Sequence, residues 1–168
     1  MYNIDLMNKT AELLLEAETT IAVAESVTSG NLQVAFSLAE NASLIFQGGI
    51  TVYNIGQKCR HLAVEPTHAI ACNCVSATVS EQMAREVCNV FRSDYGIGIT
   101  GYASPVPEKN IKQLFAFIAV AKGNKILVSK KSISSKTKPL DAQMEFTQKA
   151  IELLFDVLKK DKKKVGRP

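Results

Sequence analysis

Three signals in chain order predict an α/β domain in which helices cover both faces of a mixed sheet, a three-layer α/β/α single domain. Short β-branched apolar runs alternate with helix-period stretches through the first hundred residues, the pattern of crossover units. Two further apolar runs, Leu114 to Ala121 and Ile126 to Ser132, are separated only by Lys122-Gly123-Asn124-Lys125, a turn that tolerates positive φ and predicts an antiparallel hairpin. A long periodic stretch opening at Pro139 then closes the fold.

Each element has its own justification. Ile4, Met7, Ala11 and Leu14 recur at three- and four-residue intervals and predict a first helix over Asn3 to Glu16. Thr20-Ile-Ala-Val-Ala24 is the length and composition of a buried strand; it enters a polar turn before a second helix, Leu32 to Ala39. Gly48-Gly49 introduces a strand at Ile50-Thr51-Val52-Tyr53, ended by Asn54-Ile55-Gly56, with a helix over Gln57 to Leu62 and another short turn of helix opened by Pro66. Ser76 is placed to N-cap a helix whose core face is Val79, Met83, Val87 and Val90 or Phe91. Tyr95 to Thr100 alternates as a strand, and the last helix carries Leu140, Met144, Thr147, Ile151, Leu154 and Leu158 down its inner face.

Composition narrows the function classes. With 46% apolar and 21% charged residues the chain can build a core, so bulk disorder is excluded. No apolar run reaches the ~20 residues needed to cross a bilayer, and Asp5 interrupts Ile4, Leu6 and Met7, so no signal segment is expected and the predicted location is the cytoplasm. Cys59, Cys72, Cys74 and Cys88 do not form the dense framework of a disulfide scaffold and read as reduced thiols. The net charge of +4 is concentrated at one end: from Lys159 to Pro168 six cations face Asp161 alone, which leaves residues 1–158 close to neutral. Residues 1–158 are therefore expected to form the domain and 159–168 a disordered basic tail, able at most to make weak, non-specific contact with polyanions.

In an open α/β sheet the loops at the carboxyl ends of the strands gather ligands, which directs attention to three segments. Glu25-Ser26-Val27-Thr28-Ser29-Gly30 sets three hydroxyls and a glycine at a helix start, where free N–H groups can hold an anion or an oxyanion; plain helix capping is the commoner use of such a turn. Tyr53 to Lys58 brings a phenol and an amine to the end of the next strand. A lysine acts as a base only when neutral, and a serine hydroxyl needs such a base to attack a carbonyl; by spacing alone Lys58 reads as a solvated helix residue. Thr100 to Pro105 forms the third loop.

Taken together, AESVTSG, GGITVYNIGQK, Val75-Ser76 and Ile99-Thr100-Gly101-Tyr102-Ala103-Ser104-Pro105 resemble, in order and spacing, the CinA C-terminal domain family, in a stand-alone form. The resemblance runs from the first helix to the last. Active members of that family are nicotinamide-nucleotide amidases, hydrolysing the carboxamide of nicotinamide mononucleotide to the acid and ammonia. The resemblance implies Ser26 as nucleophile, Lys58 as general base and Tyr53 as a supporting phenol hydrogen-bonded to one of the two. It further implies Glu25, Thr28, Gly30, Thr100 and Gly101 around the substrate, with the oxyanion received by N–H groups near Thr28 to Gly30. A homo-oligomer and a nucleotide or amide substrate follow from the same likeness; no metal or cofactor is called for.

The chain also departs from the family. Val27 replaces a cysteine, Ser29 and Ser104 replace glycines, Ala77 replaces an acid, Glu108-Lys109-Asn110-Ile111-Lys112 lacks the usual glycine, and Gln143 stands where arginine is usual, leaving Lys136 or Lys138 as substitutes for a phosphate contact. Two functional classes follow: an amidohydrolase with altered substrate preference, or a binding module with a changed nucleotide pocket. Cys59, His61, His68, Cys72 and Cys74 offer soft ligands within 16 residues, but C-x-H and C-x-C match no standard zinc spacing.

Overall fold

The computed structural model describes residues 3–165, with side chains through Lys162. The elements run α1 (Ile4–Glu16), β1 (Ile21–Glu25), α2 (Asn31–Ser37), α3 (Ala42–Ile45), β2 (Phe46–Thr51), α4 (Ile55–Leu62), α5 (Pro66–Ala71), α6 (Ala77–Phe91), β3 (Tyr95–Tyr102), a 3-10 turn (Pro107–Lys109), β4 (Leu114–Lys122), β5 (Lys125–Ser134) and α7 (Pro139–Val165). The fold class is the one predicted, a mixed α/β sheet between helical layers. Its strands lie in the order β2-β1-β3-β4-β5, the first three parallel, with β4 and β5 joined to β3 as an antiparallel meander.

Every residue of β1 is buried because both faces of the sheet are covered. Ile21 and Val23 point toward a core shared with Met7 and Leu14 of α1, Phe36 of α2 and Phe146 of α7. Ala22 and Ala24 point the other way, toward Leu62 of α4, Ala69 of α5 and Val79, Met83 and Val87 of α6. That period of two explains why β1 reads as a continuous apolar run. Where α6 crosses β3 the strand carries glycine so that the helix can sit close: a Cβ on Gly98 would lie 2.1 Å from the Ser80 carbonyl oxygen. Because β1 sends its chain one way to β2 and receives β3 on its other side, the ends of β1, β2 and β3 flank a topological switch point.

Four expectations change. β2 begins at Phe46, four residues before Ile50, and stops at Thr51; Gly48 adopts φ +129, a conformation glycine accepts without strain. The short α3 was not expected. On α7 the inner face is Ala142, Phe146, Ala150, Ile151, Leu154 and Leu158, while Leu140 is exposed, because the first turn overhangs the mouth of a cavity instead of the core. The basic end is not open chain as far as it is described: α7 continues to Val165, tied down where Tyr95 donates to Asp161 at 2.9 Å, Lys122 pairs with Asp161 at 3.5 Å and Lys162 reaches Glu16 of α1. Lysine is a good helix former once the preceding turns are packed, and alternating partners offset the self-repulsion. The final Gly166-Arg167-Pro168 lies outside the described residues.

Candidate active site

The site begins with one buried carboxylate. Glu25, the last residue of β1, has no exposed surface, and its oxygens accept from Thr28 Oγ1 at 2.6 Å and from the backbone N–H groups of Gly30, Leu32 and Gln33 at 3.1, 3.0 and 2.9 Å. These amides are the unpaired donors at the start of α2, and a carboxylate there is favoured by the helix dipole. Gly30, at φ +99, lets the chain turn back over Glu25. Glu25 thereby fixes the turn that carries Ser26, its neighbour, to the mouth of the switch point.

Lys58 arrives from the opposite side. Asn54 caps α4, its Oδ1 accepting from Gln57 N at 3.1 Å, and this sets the helix so that Lys58 faces inward with 1% of its surface exposed. Its Nζ lies 2.9 Å from Ser26 Oγ and 2.9 Å from the Val52 carbonyl oxygen, to which it donates. Burial disfavours the ammonium and pushes the Lys58 amine below its ordinary value; the neighbouring Cys74 thiol pulls the other way. Burial in turn pushes Cys74 up, which favours the uncharged thiol.

These groups border a cavity of about 380 Å³, lined among others by Ser26, Lys58, Cys74, Thr100, Tyr102 and Gln143. Asn73 and Cys74 both adopt left-handed backbone, at φ 51 and 60; Thr100 Oγ1 donates to the Cys74 carbonyl at 2.8 Å, and Asn73 Nδ2 donates to the Tyr102 hydroxyl at 2.8 Å. The far wall is closed by α7, where Gln143 Nε2 reaches Ser29 Oγ at 3.3 Å.

Residues 3–158 match the family model for the CinA C-terminal domain. The chain belongs to the CinA C-terminal domain family. A competence-damage inducible protein of Streptococcus equi subsp. zooepidemicus strain H70 is 33% identical over 155 residues, covering 92% of the chain and 36% of that relative, so the chain spans about a third of it. Among solved structures, a CinA superfamily protein from Enterobacter cloacae matches with a TM-score of 0.87 at 26% identity, covering 94% of each chain. A competence or damage-inducible protein from Enterobacter asburiae gives 0.86 at 24%, over 92% of this chain and 96% of its own.

Within this CinA fold the residues singled out from sequence divide. Ser26, Tyr53, Lys58, Thr100 and Gly101 line the cavity; Glu25, Thr28 and Gly30 do not. Glu25 and Thr28 are fully buried behind Ser26, where they shape the turn without reaching a ligand. Tyr53 is 75% exposed at the rim and, among the described residues, bonds to neither Ser26 nor Lys58, because the chain between β2 and the α4 cap turns its ring outward; the Val52 carbonyl holds the amine instead. Of the backbone amides near Thr28 to Gly30, that of Ser29 is given to the Ser26 carbonyl at 3.2 Å and that of Gly30 to Glu25, and Thr28 is buried away from the cavity; the amide of Val27, which does line it, carries no hydrogen bond among the described residues.

Lys136 and Lys138 do not line the cavity. His61 pairs with Gln57 and His68 with Ser76, and among the described residues no group of three or more His, Cys, Asp or Glu is gathered as for a metal ion. Among those residues no helix is long and apolar enough to cross a membrane. Sequence reasoning missed Val52 and Asn73, weighed Cys74 only as a soft metal ligand and named Tyr102 only as part of the third loop; Asn73 carried a signal as a residue type that tolerates left-handed backbone.

Proposed function

We propose that this chain is an amidohydrolase acting on a linear carboxamide, of the kind represented by nicotinamide mononucleotide deamidation, with Ser26 as nucleophile and Lys58 as its base. One observation carries the reading: a buried amine, with its charged form disfavoured, 2.9 Å from a serine hydroxyl at the edge of a cavity. With Lys58 neutral, one N–H is committed to Val52 and the nitrogen lone pair is free to accept the Ser26 proton across that contact.

Ser26 Oγ attacks the amide carbon as Lys58 takes the hydroxyl proton. The carbonyl oxygen becomes an oxyanion for the Val27 amide, on a residue that lines the cavity, to stabilise. Lys58 then returns the proton to the amide nitrogen, the C–N bond breaks, and ammonia leaves with Ser26 acylated; an amide anion would not depart unassisted. Water attacks the ester, giving its proton to Lys58, and the carboxylic acid leaves as Ser26 recovers a proton. Glu25, Thr28 and Gly30 act as positioning residues, fixing the turn that presents Ser26.

The test is ammonia release from nicotinamide mononucleotide and a panel of related carboxamides by wild type, Ser26→Ala and Lys58→Ala. Turnover by wild type with near-complete loss in both variants supports the assignment. Equal turnover in all three removes it, and binding without turnover by wild type leaves the fold as a binding module.

A further inference from the structure

The charge inventory of the cavity specifies its ligand more narrowly than the catalytic pair does. Among the described residues, Lys58 is the only one lining it that normally carries charge, and none of them sets an arginine, histidine or carboxylate there. Lys58 itself is engaged by Ser26 and Val52. The remaining polar groups are neutral: the Tyr53 and Tyr102 phenols, the Asn73 and Gln143 carboxamides and small hydroxyls. Lys109 on the 3-10 turn is felt electrostatically by Cys74 but is exposed and does not line the cavity.

We propose that the cavity takes a carboxamide bearing no phosphate and no carboxylate, either neutral or with a cationic ring, of nucleoside size or smaller. This rests on the amidohydrolase reading for the carboxamide and on the wall chemistry for the charge. A phosphomonoester placed here would leave water without a counter-charge, which costs free energy that neutral hydrogen-bond donors only partly return. Its negative field would also favour the protonated form of Lys58 and so remove the base at the moment of attack. A cationic ring has the opposite effect: it helps keep the amine neutral, and Tyr53 and Tyr102 border the space it would enter.

The experiment separates this proposal from the catalytic one by measuring binding without turnover. Ser26→Ala protein is titrated calorimetrically with nicotinamide, nicotinamide riboside and nicotinamide mononucleotide at low salt, and wild type is assayed for ammonia release from the same three. The expected result is that the riboside binds roughly tenfold or more tightly than the mononucleotide. Gln143→Arg, which sets a guanidinium on the α7 wall, should reverse the order. A mononucleotide that binds the Ser26→Ala protein as tightly as the riboside overturns the proposal, as does failure of nicotinamide and the riboside to bind at millimolar concentration. If the binding order holds but wild type releases no ammonia, the amidohydrolase reading fails while the charge preference stands.

Discussion

At the scale of single residues, the function proposed here depends on whether Lys58 is neutral, and its surroundings decide that by burial. Replacing Lys58 by alanine should lower kcat/KM for ammonia release by about 10²–10⁴-fold, the usual range for loss of a general base. Tyr53→Phe should cost little, less than about tenfold, since the phenol is at the rim and touches neither member of the pair. The pH profile carries the same logic. Activity should rise with pH through the depressed Lys58 value, so its acidic limb falls below the ordinary lysine range. Cys74→Asp would set a negative charge beside the amine, raise its pKa and move that limb to higher pH; a limb that stays in place would detach Lys58 from the profile. Of this arrangement Ser26 and Lys58 were legible in sequence through a shared motif pattern, but the role of Val52 was not. A backbone carbonyl has no side-chain signature, and its alignment with Lys58 exists only once β2 and α4 have met.

At the scale of elements, the first turn illustrates how a motif read as ligand-binding can be structural. Glu25 ends a strand and caps the following helix with the same carboxylate, so the strand–turn–helix unit is locked from inside. Glu25→Gln would present an amide N–H₂ to groups that are themselves donors, and should cost about 3 kcal/mol in urea unfolding, in line with loss of charged hydrogen bonds in a buried place. The β3–α6 contact makes a second prediction. Gly98→Ala drives a methyl against the Ser80 carbonyl oxygen and the Ala84 amide, both backbone atoms that cannot rotate away, so it should destabilise by about 3 kcal/mol or prevent folding. Elements with strong periodicity, such as α1, α6 and the β4–β5 hairpin, could be read directly because a single face or a single turn determines them. α3 could not, since four residues are too few to show a period. The face of α7 was misread near Leu140 because periodicity gives the spacing of a stripe but not where the core beneath it ends.

At the scale of the whole molecule, the cavity and the anchor of the last turns of α7 lie at opposite ends of the sheet, which separates the proposed activity from part of the stability. The carboxyl ends of β1, β2 and β3 form the cavity, while β3 begins at Tyr95, whose hydroxyl donates to Asp161 near the far end of α7. Burial raises the Tyr95 pKa, and the Asp161 carboxylate accepts the phenol proton's hydrogen bond, so the pair tethers α7 in its uncharged-phenol form. Residues beyond Leu158 were expected from charge alone to contribute nothing to the fold, because net charge records repulsion between like groups but not the partners that the rest of the chain supplies. Removing residues 159–168 takes away Asp161 and the contact of Lys162 with Glu16, and leaves the Tyr95 hydroxyl partly buried without its acceptor. The expected outcome is a loss of about 1–2 kcal/mol, seen as a fall of a few degrees in the calorimetric Tm, with ammonia release per folded molecule unchanged. Any salt-sensitive retention on DNA should vanish with the same deletion, because residues 1–158 are close to neutral. An unchanged Tm would mean that the last turns of α7 are held only by their own backbone, and DNA retention surviving the deletion would move the polyanion contact onto the body of the domain.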